Sequence, residues 1–350
     1  MRVLVTGSAG YIGAVLVRSL ELSGHEVRGV DAQFFREARV ADENTGADLR
    51  AADVRRIEAD DLRGVDAVVD LAALCNDPLG GLNPSVTFEV NHLAAVRTAR
   101  LAREAGASRF VFSSSCSIYG LNSRHPLTES DPVRPLTPYA MAKHRAEQDI
   151  ARLADDDFSP TFLRNATAYG PSPSFRLDLV VNYQTALAVT RKEVRLRDDG
   201  LAWRPFLHVE DLCATVRAVL EAPRETVHNE IFNVGPSDDC HRIREVAELI
   251  VATVAGAKLK TGKEDHHDER SYRVDDAKIR QAIPGLRWRK RLRDGISELA
   301  DFYQSIGLSE KDLTSERFNR LATVIGHQRA GRLDSRLYWA AGCYPSGNNF

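Results

Sequence analysis

The 350-residue sequence is poor in sulfur and in large aromatic side chains, with five cysteines, two methionines and three tryptophans. Cys75, Cys116, Cys213, Cys240 and Cys343 are odd in number and widely spaced, and no Cys-x-x-Cys pair occurs. That argues against a disulfide framework and a four-thiolate zinc site. Neither sign of charge is in excess: 47 Lys+Arg face 49 Asp+Glu, a formal net charge of -2. Such a balance gives no electrostatic reason to expect a nucleic acid or an anionic membrane as partner. No apolar run approaches the roughly 18 residues of a bilayer span. Met1–Thr6 is too short for the apolar region of a signal peptide before Gly7 begins a motif. A cytoplasmic protein is therefore expected. No internal repeat is visible. Hydrophobic residues make up 43% and charged residues 27%, as in ordinary globular proteins. At roughly 150 residues per domain, the length suggests about two domains.

The first half alternates strand-like and helix-like segments. Val3-Leu4-Val5 ends in glycine, and Ile12, Val15, Leu16 and Leu20 then fall on one helical face. Further strands are expected at 26–31, 65–71, 109–113, 160–164 and 230–233, with a helix around 88–105. This alternation implies an α/β fold of Rossmann type, a doubly wound parallel sheet covered on both faces. Residues 1–170 would form the dinucleotide-binding domain, with 204–235 returning to it. Residues 171–203 and 236–305 would form a smaller substrate-binding lobe. A helix-compatible C-terminal extension at 306–340 and a loose tail at 341–350 complete the expected organisation.

Thr6-Gly7-Ser8-Ala9-Gly10-Tyr11-Ile12-Gly13 joins the first strand to the first helix. Gly7, Gly10 and Gly13 suit a tight turn whose backbone must approach a diphosphate. The helix start at Tyr11 and Ile12 offers free N–H groups and the positive dipole end. Asp31 closes the second strand, where an acid can bind an adenosine ribose. A carboxylate there repels a 2′-phosphate, so NAD is favoured over NADP.

Tyr139-Ala140-Met141-Ala142-Lys143 puts a phenol and an ammonium on one helix face. A free tyrosine, with pKa about 10, is a poor base at neutral pH. A neighbouring Lys⁺ and a nicotinamide cation would favour the phenolate. Ser113-Ser114-Ser115 ends the strand upstream and can supply a hydroxyl to a substrate oxygen. With these features, residues 1–305 resemble the extended short-chain dehydrogenase/reductase family, in particular its nucleotide-sugar epimerases and dehydratases. The resemblance also rests on Asp53-Val54, Leu71-Ala72-Ala73, Tyr119-Gly120, Leu163-Arg164, Tyr169-Gly170-Pro171, the run from Arg204 to Asp211, and Phe232-Asn233-Val234-Gly235. It implies that Asp53 and Val54 contact adenine and that Leu71, Ala72 and Ala73 line the cofactor. Asn91 would lie near NAD, and Ser113 would belong to the cofactor site. Ser115, Tyr139 and Lys143 would form the catalytic triad. Arg204 and Arg270 would grip the substrate diphosphate, and a homodimer would form through the helices near 88–105 and 139–154.

The chain departs from the family's pattern in places. Thr167 stands where an Asn usually follows Leu-Arg, and Asn165 lies two residues earlier, so both are candidate substrate contacts. Asp70 replaces a histidine before Leu71-Ala72-Ala73. Cys116-Ser117 follows Ser115 where 4,6-dehydratases carry Asp-Glu, which disfavours ordinary 4,6-dehydration. Cys116 is either an acid/base thiol near the sugar or a small apolar filler, the commoner fate of an isolated cysteine. His208, His241, His266 and His267 lack zinc-ligand spacing, so no metal is expected. The leading expectation is an NAD-dependent nucleotide-sugar epimerase acting through a transient keto sugar. A keto-sugar reductase or other oxidoreductase is the enzymatic alternative, and an NAD-binding regulatory protein the non-enzymatic one.

Overall fold

The structure, a computed structural model, describes residues 1–41, 46–120, 125–262 and 270–344. Twelve strands are present among them: β1 (Arg2–Thr6), β2 (Glu26–Asp31), β3 (Asp48–Ala51), β4 (Ala67–Asp70), β5 (Arg109–Ser115), β6 (Ser159–Asn165), β7 (Thr167–Tyr169), β8 (Glu193–Leu196), β9 (Trp203–His208), β10 (Glu230–Val234), β11 (Cys240–Arg242) and β12 (Lys258–Thr261). Seven of them form one sheet in the order β10-β6-β5-β4-β1-β2-β3, and every neighbouring pair is parallel. This is the Rossmann-type doubly wound sheet expected. The strand order reverses between β1 and β4, which places a crevice at their carboxyl ends.

Both faces of the sheet are buried, so its strands read as continuous apolar runs. Leu16, Val17 and Leu20 of the helix Tyr11–Leu22 join Leu212, Val216 and Val219 of the helix Val209–Glu221 over Val3, Val5, Val69 and Val111. On the other face Ala99, Ala102, Ala146 and Ile150 cover Leu4, Val68, Phe110 and Phe162. Edge strand β3 was not expected: Asp48-Leu49-Arg50-Ala51 has no apolar run because it is paired on one side only.

The expected helix near 88–105 is three pieces: Pro84–Phe88, a wide π-helical turn Glu89–Ala94, and the helix Ala95–Glu104. Of the stretch 204–235, β10 joins the main sheet beside β6, whereas β9 does not. It sits between β7 and β11 in a separate three-stranded sheet. A further core, with Phe175, Val181, Phe206, Val246, Ile250, Ile296 and Tyr303, fills the smaller lobe. Among the described residues, no helix is long and apolar enough to cross a membrane.

Candidate active site

Positive φ at Gly7 (+70°) turns the chain sharply at the end of β1, and its N–H donates to the Val30 carbonyl at 2.7 Å. A Cβ on Gly7 would lie 2.9 Å from the Ala72 nitrogen, and one on Gly13 would lie 2.1 Å from the Gly7 carbonyl oxygen. Both glycines therefore keep this turn tight. Gly10 caps the following helix without any side-chain hydrogen bond to it, so the backbone N–H groups of the first turn face the crevice. The Tyr11 hydroxyl is turned away and donates to the Gly170 carbonyl at 2.7 Å. Asp31 is fixed at the end of β2, where its carboxylate accepts from the Ala9 N–H at 3.1 Å and the Gln33 N–H at 2.6 Å. Burial raises its pKa above the ordinary carboxylate value, opposed by those two backbone hydrogen bonds.

A cleft opens here, lined by Gly7, Gly10, Tyr11, Ile12, Gly13, Asp31, Asp53, Val54 and Leu71–Ala73. A dinucleotide fits this arrangement. The glycines leave backbone where side chains would stand, the helix start suits a diphosphate, and apolar walls suit an adenine. Asp53 presents little free charge to the cleft, because its carboxylate is ion-paired with Arg55 at 2.5 Å. Asn91 is not on the cleft wall. It is fully buried on the π-helical turn, and its amide clasps the Leu74 N–H (2.8 Å) and carbonyl (3.2 Å). It therefore holds the loop after β4, which does line the cleft.

The serine run ends β5 and the Tyr139–Lys143 pair lies in the first turns of the helix Pro138–Ala151, capped by Thr137, whose hydroxyl accepts the Ala140 N–H at 3.2 Å. Ser115 lies close enough to Tyr139 for its hydroxyl to favour the phenolate. Lys143 is 2% exposed, with its Nζ 4.5 Å from the centre of the Phe112 ring. Burial pushes the Tyr139 phenol above its ordinary value. Cys75 and Asp77 act in the same direction, while the Ser115 hydroxyl opposes them. Desolvation thus dominates, and the cation that opposes it is Arg176, not Lys143 as expected. The nearest compensation for Lys143 comes from Asp70, the residue in place of the usual histidine. Asp70 accepts a 2.6 Å hydrogen bond from Thr6, and its other carboxylate oxygen has no hydrogen-bond partner. Burial raises Asp70 and lowers Lys143, each opposed by the charge of the other.

The sequence model of the family described as NAD dependent epimerase/dehydratase matches residues 3–235. The chain belongs to this family. It is 30% identical over 322 residues to a UDP-glucose 4-epimerase of Mycolicibacterium smegmatis, which spans 87% of this chain and 99% of that protein. Among solved structures, MoeE5 in complex with UDP-glucose and NAD is similar with a TM-score of 0.76 and 28% identity, covering 87% of this chain and 99% of that one. TunA, an NAD-dependent NDP-hexosamine 5,6-dehydratase, gives a TM-score of 0.77 at 25% identity, with coverage of 87% and 98%.

In this epimerase/dehydratase fold the residues on the substrate side are unevenly placed. Cys116 is 1% exposed, packs with Tyr119, Leu127, Tyr272 and Val274, and directs its thiol to the Arg164 carbonyl at 3.0 Å. Burial lifts that thiol well above its ordinary pKa. Of the two readings of Cys116, this setting favours the apolar filler. Cys116→Ala and Cys116→Ser should both keep turnover within a few-fold of wild type, with a drop in melting temperature corresponding to roughly 1–2 kcal/mol. A loss of turnover in both without a loss of folding would reverse that assignment.

Asn165 donates to the Ser113 hydroxyl at 2.9 Å and the Ser114 carbonyl at 3.3 Å, while its carbonyl oxygen is buried without a partner. Thr167 lies on β7, half-buried. Arg204 donates to the Trp203 and Arg270 carbonyls. Arg270 is ion-paired with Asp77, whose carboxylate also accepts from Thr137 at 2.6 Å. The two arginines expected at the substrate diphosphate are therefore adjacent, and one is tied to an acid near Tyr139.

Arg176 was missed from the sequence. It lines the cleft, pairs with Asp178 at 2.7 Å and donates to the Cys75 sulfur at 3.2 Å. A buried-looking charge inside the apolar stretch 175–181 was the available signal. Of the histidines, His241 is bonded to Asp239 at 2.7 Å. His208 lies near Glu210 and Glu298, among which the Lys290 ammonium is already seated. His266 and His267 lie outside the described residues.

The lowered Lys143 has a kinetic consequence. With its pKa brought down to about 8 by burial, the ammonium is present below that pH and lost above it. Turnover that needs this charge should fall as pH rises through about 8. In Lys143→Arg the guanidinium stays charged, so the alkaline limb should vanish from the pH–rate profile even if the maximal rate is lower.

Proposed function

We propose that the protein is an NAD-dependent nucleotide-sugar epimerase that works through a transient keto sugar. NAD is the cofactor of this site, and when bound it supplies the hydride acceptor and donor. The observation that carries the reading is the Ser115, Tyr139 and Lys143 set beside Cys75 of the cleft wall, followed by buried Cys116 in place of a carboxylate pair. Ser115 holds a sugar oxygen. Tyr139 takes the proton of that hydroxyl as the carbonyl forms and returns it after the sugar has turned. Lys143 supplies positive charge beneath the phenolate, and Asp70 keeps that ammonium compensated while it is buried. Arg204 and Arg270 serve the substrate diphosphate, to which guanidinium forks are suited. The net charge of -2 supports a small nucleotide-sugar partner in preference to nucleic acid or a membrane surface. Dehydration is the second reading, favoured by one observation: the Asp77 carboxylate lies close enough to Tyr139 to raise its pKa.

The test is incubation of the purified protein with UDP-, dTDP-, GDP- and CDP-sugars without added cofactor. Epimerisation gives a mass-neutral isomer. Loss of water instead supports the dehydratase reading, and turnover only with stoichiometric external cofactor overturns both. The assembly proposed is a homodimer. Leu93, 57% exposed, and Met141, 38% exposed, leave apolar surface on the two helical segments concerned. Light scattering at micromolar concentration should give twice the chain mass of 38.8 kDa. A monomer alone would remove the proposal.

A further inference from the structure

The chain beyond the helix Leu292–Ser305 folds back over one end of the cleft. Two short 3₁₀ turns, Glu310–Thr314 and Glu316–Phe318, lead into the helix Arg320–Arg329. This segment is fastened to the loop after β2. Arg317 donates to the Arg39 carbonyl at 2.8 Å, His327 Nε2 lies 2.8 Å from the Phe34 carbonyl, and the Trp339 indole N–H donates to the Ala32 carbonyl at 2.7 Å. It is also fastened beside Asp53, because Arg55 donates to the Arg336 and Leu337 carbonyls at 2.7 and 3.0 Å. Val324, Leu333 and Leu337 are buried in one cluster with Phe34 and Val54. The segment is thus bound to both loops that carry the acids of the cleft.

Arg320 opens its last helix and lines the cleft. The residue is 1% exposed. Its Nη2 donates to the Ser174 carbonyl at 3.2 Å and to the Ser174 hydroxyl at 3.3 Å, and its guanidinium lies 4.1 Å over the Phe35 ring. Nη1 is buried and has no hydrogen-bond partner. Among the described residues Arg176 is the other cation lining the same cleft. Burial and the nearby charge of Arg176 bring Arg320 down to about 10, against attraction from Asp178 and Asp31. Two guanidinium groups facing one cavity, one with an idle N–H, suit an anion with several oxygens. The free N–H groups at the start of the helix Tyr11–Leu22 belong to the same cleft.

We propose that Arg320 binds the diphosphate of NAD, so that the C-terminal segment supplies a clamp over the cofactor. The proposal rests on NAD occupying this cleft and is independent of what happens to the sugar. The segment then has a function beyond packing: it closes the nucleotide end and slows release of the cofactor. That suits an enzyme that regenerates its NAD within each turnover and gains nothing by exchanging it.

The experiment is calorimetric titration of nucleotide-stripped wild type, Arg320→Gln and Arg320→Lys with NAD, ADP and adenosine. A charge-assisted contact is worth about 10- to 100-fold in affinity. NAD and ADP should weaken by that factor in Arg320→Gln, while adenosine, which has no phosphate, should be unaffected. Arg320→Lys keeps the charge without the planar fork and should fall between. The ratio of ADP to adenosine affinity is the quantity to read, since general loosening of the segment lowers both alike. A ratio unchanged from wild type in the variants would overturn the proposal. Because no sugar is present, that failure is distinct from failure of the epimerase reading, which the nucleotide-sugar panel tests alone.

Discussion

Tyr139→Phe should fold normally, bind NAD as wild type does, and lose turnover by about 10²–10⁴-fold, the usual worth of a general acid–base group. The substitution removes one oxygen and keeps the ring, and the side chain's root beside Gly80, where a built Cβ would stand 3.1 Å from the Tyr139 Cβ, is unchanged. The sheet and the helix Pro138–Ala151 are held by backbone hydrogen bonds and apolar packing in which the hydroxyl takes no part. The measurement is initial rate on the sugar nucleotide identified by the panel, alongside NAD titration and a thermal melt. Turnover close to wild type would show that another group moves the proton. A parallel loss of NAD affinity would place the damage in the cofactor cleft instead of at the reacting hydroxyl.

Gly13→Ala is the second substitution with a large expected effect. Its Cβ would meet the Gly7 carbonyl oxygen at 2.1 Å and the Ser8 Cα at 2.8 Å, and both neighbours are backbone. No side chain can swing away, so the turn between β1 and its helix must move. A displacement near 1 Å at a binding site costs on the order of 100-fold, and overpacking itself about 1–3 kcal/mol. NAD affinity should fall by roughly that factor with a clear drop in melting temperature. Gly81→Ala is the control: it has nothing within 4 Å of a built Cβ and should change neither. Equal NAD affinity in the Gly13 and Gly81 variants would mean that the turn does not carry the dinucleotide.

The parts of the molecule legible in the sequence are those where neighbours along the chain do the physical work. The turn from Thr6 to Gly13 contains its own conformational requirement. Tyr139 and Lys143 share a face because helix geometry puts them there. The central strands are apolar throughout because helices cover both sides. Strand β3 escaped notice because an edge strand need not be apolar, and β9 pairs with β7 and β11 in a separate sheet because the tertiary fold chooses a strand's partners and its own residues carry no mark of that choice. Arg176 and Arg320 meet at the cleft from positions 144 residues apart, a convergence that only the tertiary fold creates. Asn91 shows the same limit: its position was identified, but the π-helical turn that aims it at Leu74 has no signature in residue spacing.

That turn also limits which changes in length the chain can accept. Each residue added to or removed from an α-helix rotates everything beyond it by about 100°, and a π-helical turn is an α-helix holding one residue more. Deleting a single residue within Glu89–Ala94 would restore ordinary helical winding and swing Asn91 off the Leu74 backbone, or else turn Ala95, Ala99 and Ala102 off the sheet. Substitutions at exposed positions here, such as Leu93, leave the phase of the helix intact. Indels do not, so this six-residue stretch should tolerate substitution where it is exposed and no change in count.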